Sequence, residues 1–264
     1  MSDLCPTCDN KYVNLPSHLS NFPEHKPDPW PNCPECGERF KQLGYHWSQS
    51  NCGYPKLSDQ QESIIRGVLM GDGYMSGGST ENSNPYLVVS MTNNEYLEYL
   101  KGALNPFIAS LSMKLTGEEN AQEKRDSGFR PNAEEDNYSD IYWLQSRSHP
   151  DLQKYRNWYS SGKKVFPSDL DFNETVLKHW FVCDGSYDGS RAEIALSNES
   201  GNEEKIASYF DQIDMPEPNW SYRTNSEGTE VVTIYYNKFW TGKFFDRIGD
   251  PVEGFKYKWP EDRV

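Results

Sequence analysis

Positive charge is scarce in this chain. Against 40 acidic residues stand 26 lysines and arginines, so 264 residues carry a net charge of −14 and a pI near 4.8. Taken alone, that speaks against a polyanionic partner, because affinity for nucleic acid comes mainly from cations on phosphates. It equally suits strong salt, where high net charge keeps surfaces soluble and screening suppresses repulsion. We read the source as halophilic, the cytoplasm of an archaeon or its virus. Long apolar runs are also missing. None approaches the ~20 residues of a membrane span, and MSDLCPTC lacks the basic, apolar opening of a secretory signal. The expectation is a soluble intracellular protein without membrane contact. Hydrophobic residues make up only 35% of the chain, but 14% are aromatic, and aromatic side chains bury large areas each.

Cysteine and histidine are few and unevenly spread. Five of six cysteines and three of five histidines fall within residues 1–56. That stretch contains a repeat: CPTCDNKYVNLPSHLSNFPEH (5–25) aligns with CPECGERFKQLGYHWSQSNC (33–52). In both copies an aromatic, Tyr12 or Phe40, lies four residues past the second Cys, and nine residues separate that Cys from a His. A last ligand-type residue follows, His25 or Cys52. Cysteine thiolates with imidazole suit tetrahedral Zn²⁺, and an intracellular setting disfavours disulfides. The expected ligand sets are Cys5, Cys8, His18, His25 and Cys33, Cys36, His46, Cys52, two structural zinc ions in all. Loss of the second ion is expected to leave residues 58–264 folded.

From Leu57 the texture changes. Ser58 reads as an N-cap before SDQQESIIRGVLMGDG, a helix with apolar positions at helical spacing. GYMSGG and NPYLVVSMT read as a hairpin, and NNEYLEYLKGALNPFIAS as a helix that Pro106 kinks or ends. Charged, turn-rich residues 117–139 read as a loop. DIYWLQSRS reads as a strand, and HPDLQKYRNWYSSG as a helix closed by Gly162. NETVLKHWFVCDG then opens a second series: helix, hairpin, helix, hairpin, helix. The predicted class is α+β, two αββαββα repeats with antiparallel sheets, and the boundaries are 1–56, 57–170 and 171–264.

Both repeats open on an apolar helix that ends in Asp-Gly, IRGVLMGDG at 65–73 and LKHWFVCDG at 177–185. Asp-Gly is a common helix stop, but its duplication favours chemistry. Gly67 and Gly71 lie one turn apart and leave a bare stripe where a second helix can approach closely. Packing along it brings Asp72 and Asp184 together at two electronegative helix ends. Such a pair needs a cation, and Mg²⁺ prefers hard oxygen ligands. These two segments resemble the paired motifs of the LAGLIDADG homing endonucleases in their single-chain form, over about residues 58–260. Motif one matches at Gly67, Gly71, Asp72 and Gly73. Motif two resembles the second-copy variant with Trp180 and Phe181 before the acid, while Cys183 stands where an acidic residue is more usual and His179 takes the place of Gly67.

The resemblance implies that Asp72 and Asp184 are metal ligands in two overlapping active sites, each cutting one strand of duplex DNA. It implies saddle-shaped sheets along the major groove; because a chain of net charge −14 must then meet a polyanion, basic residues are expected on the sheet faces and acidic ones on the opposite surface. It also implies a lysine before a proline near the end of each repeat. Lys164 in KKVFP and Lys258 in FKYKWP match, with Lys163 and Lys256 as alternatives. The expected activity is that of a monomeric, Mg²⁺-dependent, site-specific double-strand endonuclease of the kind that mobilises introns or inteins, with zinc modules adding DNA contact or orientation. The alternative is a non-cleaving relative, an RNA-splicing maturase or a DNA-binding regulator. A zinc-stabilised protein-interaction module is a third reading. His149 and His179 receive no role.

Overall fold

The computed structural model describes residues 3–5, 8, 10–12, 15–21, 24, 30–77, 83–128, 130–160, 163–196, 201–224 and 230–264. A small hairpin, β1 (Asp3–Leu4) with β2 (Lys11–Tyr12), precedes the short helices α1 (Leu15–Asn21) and α2 (Leu43–Gln49). The first repeat runs α3 (Asp59–Met70), β3 (Gly73–Gly77), β4 (Pro85–Met91), α4 (Asn94–Ala103), β5 (Ile108–Leu115), α5 (Gly117–Asp126) and β6 (Ile141–Ser146). A 3₁₀ helix, Pro150–Trp158, leads into the two-residue strands β7 (Tyr159–Ser160) and β8 (Lys163–Lys164). The second repeat runs α6 (Glu174–Asp184), β9 (Gly185–Tyr187), β10 (Ala192–Leu196), α7 (Glu203–Asp211), β11 (Asn219–Thr224), β12 (Glu230–Tyr235) and α8 (Lys238–Ile248).

Ser58 caps α3 as expected. Its hydroxyl accepts from the Gln61 N–H while the Gln61 side chain reaches back to the Ser58 N–H, a reciprocal box. The loop expected over 117–139 instead contains α5. Thr116 and Glu119 form the same reciprocal box there, and only Asn120 and Ala121 are buried, so no apolar period announces the helix. The helix expected through Pro106 ends at Ala103, and the chain continues as edge strand β5. Its largely exposed Ala109, Ser110, Ser112 and Met113 lack the alternation that marks a half-buried strand. The helix expected over 149–162 is 3₁₀ for nine residues.

Two antiparallel four-stranded sheets result, ordered β3-β4-β6-β5 and β11-β12-β10-β9. Register separates their faces, since cross-strand partners project to the same side. Leu87, Val89 and Leu144 in the first sheet, and Ala192, Ile194, Leu196, Val232 and Ile234 in the second, join one hydrophobic core. On the opposite face of the first sheet, Ser90 faces Trp143 and Ser112, Val88 faces Gln145 and Tyr74, and Tyr86 faces Ser76. In the second, Glu193 faces Tyr235 and Ser186, Ala195 faces Thr233, and Arg223 faces Val231.

Helices α3 and α6 form the seam between repeats. A Cβ on Gly67 would lie 2.6 Å from both the His179 Cβ and the Val176 carbonyl oxygen, and one on Gly71 would overlap the Cys183 Cβ. The glycines are therefore a steric requirement of the crossing. His179 and Cys183 fill the stripe that they leave. Around the crossing, the N-cap Asn173 of α6 donates to Ser63 Oγ of α3 at 2.9 Å, and Arg66 of α3 pairs with Asp171 at 2.8 Å.

A comparison of two glycines isolates this constraint. Gly71→Ala should destabilise the protein by about 1–3 kcal/mol, since overpacked contacts force backbone shifts. Gly242→Ala in α8, where an added Cβ meets nothing within 4 Å, should instead stabilise by up to ~1 kcal/mol. Urea denaturation of both variants measures the contrast.

Candidate active site and Cys/His clusters

Asp184 is the last residue of α6, and Asp72 follows α3 after Gly71. The seam delivers both acids to one end of the helix pair. A Cβ on Gly71 would lie 3.2 Å from Asp184 Oδ2. Burial pushes the Asp184 carboxyl up to about 7, the negative charge of Asp72 adds to this, and Lys164 and Lys258 oppose it. Asp72 is likewise raised by burial and eased by Lys258 and Lys164. Cys183 lines the same cleft as Asp72, its thiol held protonated by burial and then by Asp72.

The two lysines expected from the proline motifs arrive at this end. Lys164 on β8 donates to the Gly71 carbonyl at 2.6 Å, and Lys258 donates to the Val182 carbonyl at 2.7 Å. Each satisfies a carbonyl that a helix end leaves without an intrahelical donor. Burial lowers the Lys258 pKa, and Cys183, Asp72 and Asp184 pull it back up. The alternatives sit elsewhere: Lys256 pairs with Glu253 at 3.3 Å, and Lys163 is exposed on β8. A cleft of about 650 Å³ opens beside Asp72 and Lys258, walled by Tyr142, Phe255 and Tyr257. Another of about 580 Å³ flanks Lys164, with Tyr74, Arg156 and Tyr159.

Directly behind the acids is a pair that sequence reasoning passed over. His179 Nδ1 shares a 2.6 Å hydrogen bond with the Tyr96 hydroxyl and stacks on Tyr99 at 5.8 Å. Burial, then Lys178, pushes His179 down to about 3, so it is neutral. Its role is to tie α6 to α4. The signal available was its position, in register with Gly67.

In the N-terminal segment, Cys33, Cys36, His46 and Cys52 offer ligand atoms that all lie within 4.8 Å of one another, as do Cys5, Cys8 and His18. His25 lies outside the described residues. Cys8 Sγ and Cys36 Sγ each stand 3.7 Å from the Nε2 of their histidine. Ligands about 2.3 Å from a tetrahedral ion are separated by roughly that distance, so both clusters could hold a metal ion. The copies share backbone geometry too: Cys5 N–H donates to Asn10 O and Cys33 N–H to Glu38 O, at 2.8 and 2.7 Å. Burial raises the Cys33 thiol, but N–H groups of Cys36 and Glu35 outweigh it and leave its pKa lowered. Phe40 stacks on His46 at 3.7 Å, which fixes the ring.

The second cluster is not detached from the repeats. Cys33, Leu43 and Trp47 belong to the same core as α3. Trp47 meets Phe107 at 6.0 Å and His149 at 6.4 Å, and His149 Nε2 bonds the Pro55 carbonyl at 2.9 Å. The second cluster thus shares a core with residues 58–264, which are expected to stay folded when its ion is lost.

The family described as the LAGLIDADG DNA endonuclease family matches residues 62–215. Among solved structures, the homing endonuclease I-WcaI bound to its DNA recognition sequence is similar at 18% identity and a TM-score of 0.57, over 84% of this chain and 90% of that one. I-DmoI in complex with DNA and Mn is 12% identical with a TM-score of 0.41, over 73% and 98% of the two chains. I-GzeII in complex with a DNA target is 10% identical with a TM-score of 0.41, over 74% and 86%. No curated protein matches by sequence.

Two outcomes follow from these contacts. Asp184 carries a folded pKa of about 7, above the ~3.9 of an unfolded aspartate. The folded state therefore holds extra protons between those values, and this contribution to stability is lost as pH rises through 7. Without divalent ions, Asp184→Asn should raise the melting temperature, by more at pH 8 than at pH 5. Replacing Cys36 by Ser should lower the melting temperature of the whole chain, contrary to the behaviour of a detached module. Calorimetric scans of the two variants across pH check both.

Proposed function

This chain belongs to the LAGLIDADG DNA endonuclease family, and from that premise we propose that it is a site-specific double-strand DNA endonuclease whose two catalytic centres are built on Asp72 and Asp184. The observation that carries this reading is the convergence, from two repeats, of the exposed Asp72, the half-buried Asp184 and two lysines on the carbonyl-rich ends of packed helices. A lysine that donates to a helix-end carbonyl also serves a plain helix stop, but neither a helix stop nor a packing seam calls for acids from two repeats at the same place.

The donor set fits a hard divalent cation, which we assign as Mg²⁺. Both carboxylates are hard oxygen ligands, and burial of the pair is costly without a countercharge. When bound, such an ion lowers the pKa of water and offsets charge on the phosphate. Asp72 and Asp184 would hold such ions, one aspartate for each strand. Lys164 and Lys258, standing 2.6 and 2.7 Å from helix-end carbonyls, place ammonium groups where negative charge develops on phosphate oxygens. Cys183, neutral and packed against Gly71, keeps the interval between the acids closed without adding a third charge.

Duplex DNA is the partner we assign to the two sheets, since the major groove admits β-strands. The Cys/His clusters we assign to structural zinc, with the second ion bracing the first repeat through α2 and Trp47.

Asp72→Asn and Asp184→Asn keep size and polarity, so each variant should fold. Each should lose double-strand cleavage by roughly 10²–10³-fold while binding target duplex in Ca²⁺ with affinity at or above the parent's. Strand-resolved cleavage after selection of sites from a randomised library gives the rate. Calorimetric titration of Ca²⁺ into apoprotein gives a second readout independent of turnover. Full cleavage of both strands by either variant would remove its aspartate from the mechanism.

A further inference from the structure

Cross-strand register identifies the side chains on the faces turned away from the core, and those faces carry almost no net charge. In the first sheet, none of the paired outward positions of β3, β4, β5 and β6 is charged; serines, tyrosines, Trp143, Gln145, Ile141 and the buried Val88 occupy them. In the second, Glu193 and Arg223 are the charged ones, of opposite sign. Two further cations lie on aromatic rings of these faces. Lys114, at a bulge of β5, stands 5.3 Å over Trp143. Arg191 stands 5.1 Å over Tyr235, but its charge is met by Asp188 and Glu193 at 3.4 and 3.5 Å. The expectation of basic sheet faces is therefore not met among the described residues.

Most protein–DNA affinity comes from neutralising phosphates, and that part decays steeply with salt. A chain of net charge −14 with neutral sheet faces cannot rely on it. Hydroxyl, carboxamide and aromatic groups can nevertheless bond and pack against base edges in the major groove. Such contacts are short-ranged and release no counterions. We infer that the saddle face is an uncharged, base-reading surface, so that specific duplex binding depends only shallowly on salt and persists in concentrated KCl. This rests on the endonuclease reading above and deepens it by assigning how the partner is recognised. Lys114, Arg223, Lys164 and Lys258 are the cations left to meet phosphates at the two faces and the helix ends.

The test is the slope of log K against log[KCl] for the intact protein on its selected duplex, measured in Ca²⁺ from 0.1 M upward. Four phosphate contacts set a slope of about −3.6, from roughly −0.9 per contact. A slope of about −4 or shallower is the expected result. A slope steeper than about −6 would overturn the inference while leaving the endonuclease intact. A second measurement locates the face. Ser110→Lys with Ser112→Lys, on exposed positions of edge strand β5, should steepen the slope by roughly one unit per lysine. An unchanged slope in that double variant would mean that this face does not meet DNA. Absence of specific binding and cleavage on any duplex would instead sink the endonuclease reading itself.

Discussion

The close crossing of α3 and α6 is the contact on which the rest of this molecule depends. It joins the two sheets into one body, aims both helix ends at one point, and sets how near the two acids lie. The crossing is possible because Gly67 and Gly71 present backbone where any other residue would present a side chain. Hydrophobic burial alone would not select this arrangement, for apolar helices can pack at larger separations. The small-residue stripe specifies the distance, and that distance brings the two Asp-Gly helix ends together.

That proximity has an electrostatic cost, and the structure shows where it falls. Asp184 is pushed up to about 7, mainly by burial and then by Asp72, while Lys258 is drawn down by burial. Asp72, Asp184 and Lys258 thus have pKa values displaced from their ordinary ranges around a cluster of helix-end carbonyls. The lysines quiet the carbonyls, but they answer the acids only in part. The centre is destabilised in a manner that a bound cation relieves, which is how buried, perturbed groups at functional sites commonly behave.

Much of this was legible in the sequence because it was written twice. The Cys-Pro-X-Cys repeat pointed to two ligand clusters, and its described members do converge. The duplicated Asp-Gly ends pointed to a seam, and the lysines before Pro167 and Pro260 do reach it. What could not be read lacked either an apolar period or a local partner. Helix α5 buries only Asn120 and Ala121, so its one sign was the Thr116/Glu119 box. Strand β5 is mostly exposed and alternates nothing. The docking of Trp47 on Phe107 and His149 joins residues about 60 to 100 positions apart, a distance over which periodicity says nothing. The neutral outer faces followed from register, which turn geometry and pairing fix.

The seam is also lopsided, and this bears on the evolutionary independence of its halves. Helix α3 offers vacancies at Gly67 and Gly71; helix α6 offers the plugs, His179 and Cys183. Set α3 against a copy of itself and two bare stripes meet, so the backbones can approach more closely than they do here. Set α6 against its own copy and plug meets plug, holding the backbones apart. The mixed pairing is the one in which each bare position receives a side chain. If the repeats descend from an ancestor that paired with itself, a symmetric self-recognition has been divided between two unlike helix faces, one bare and one filled.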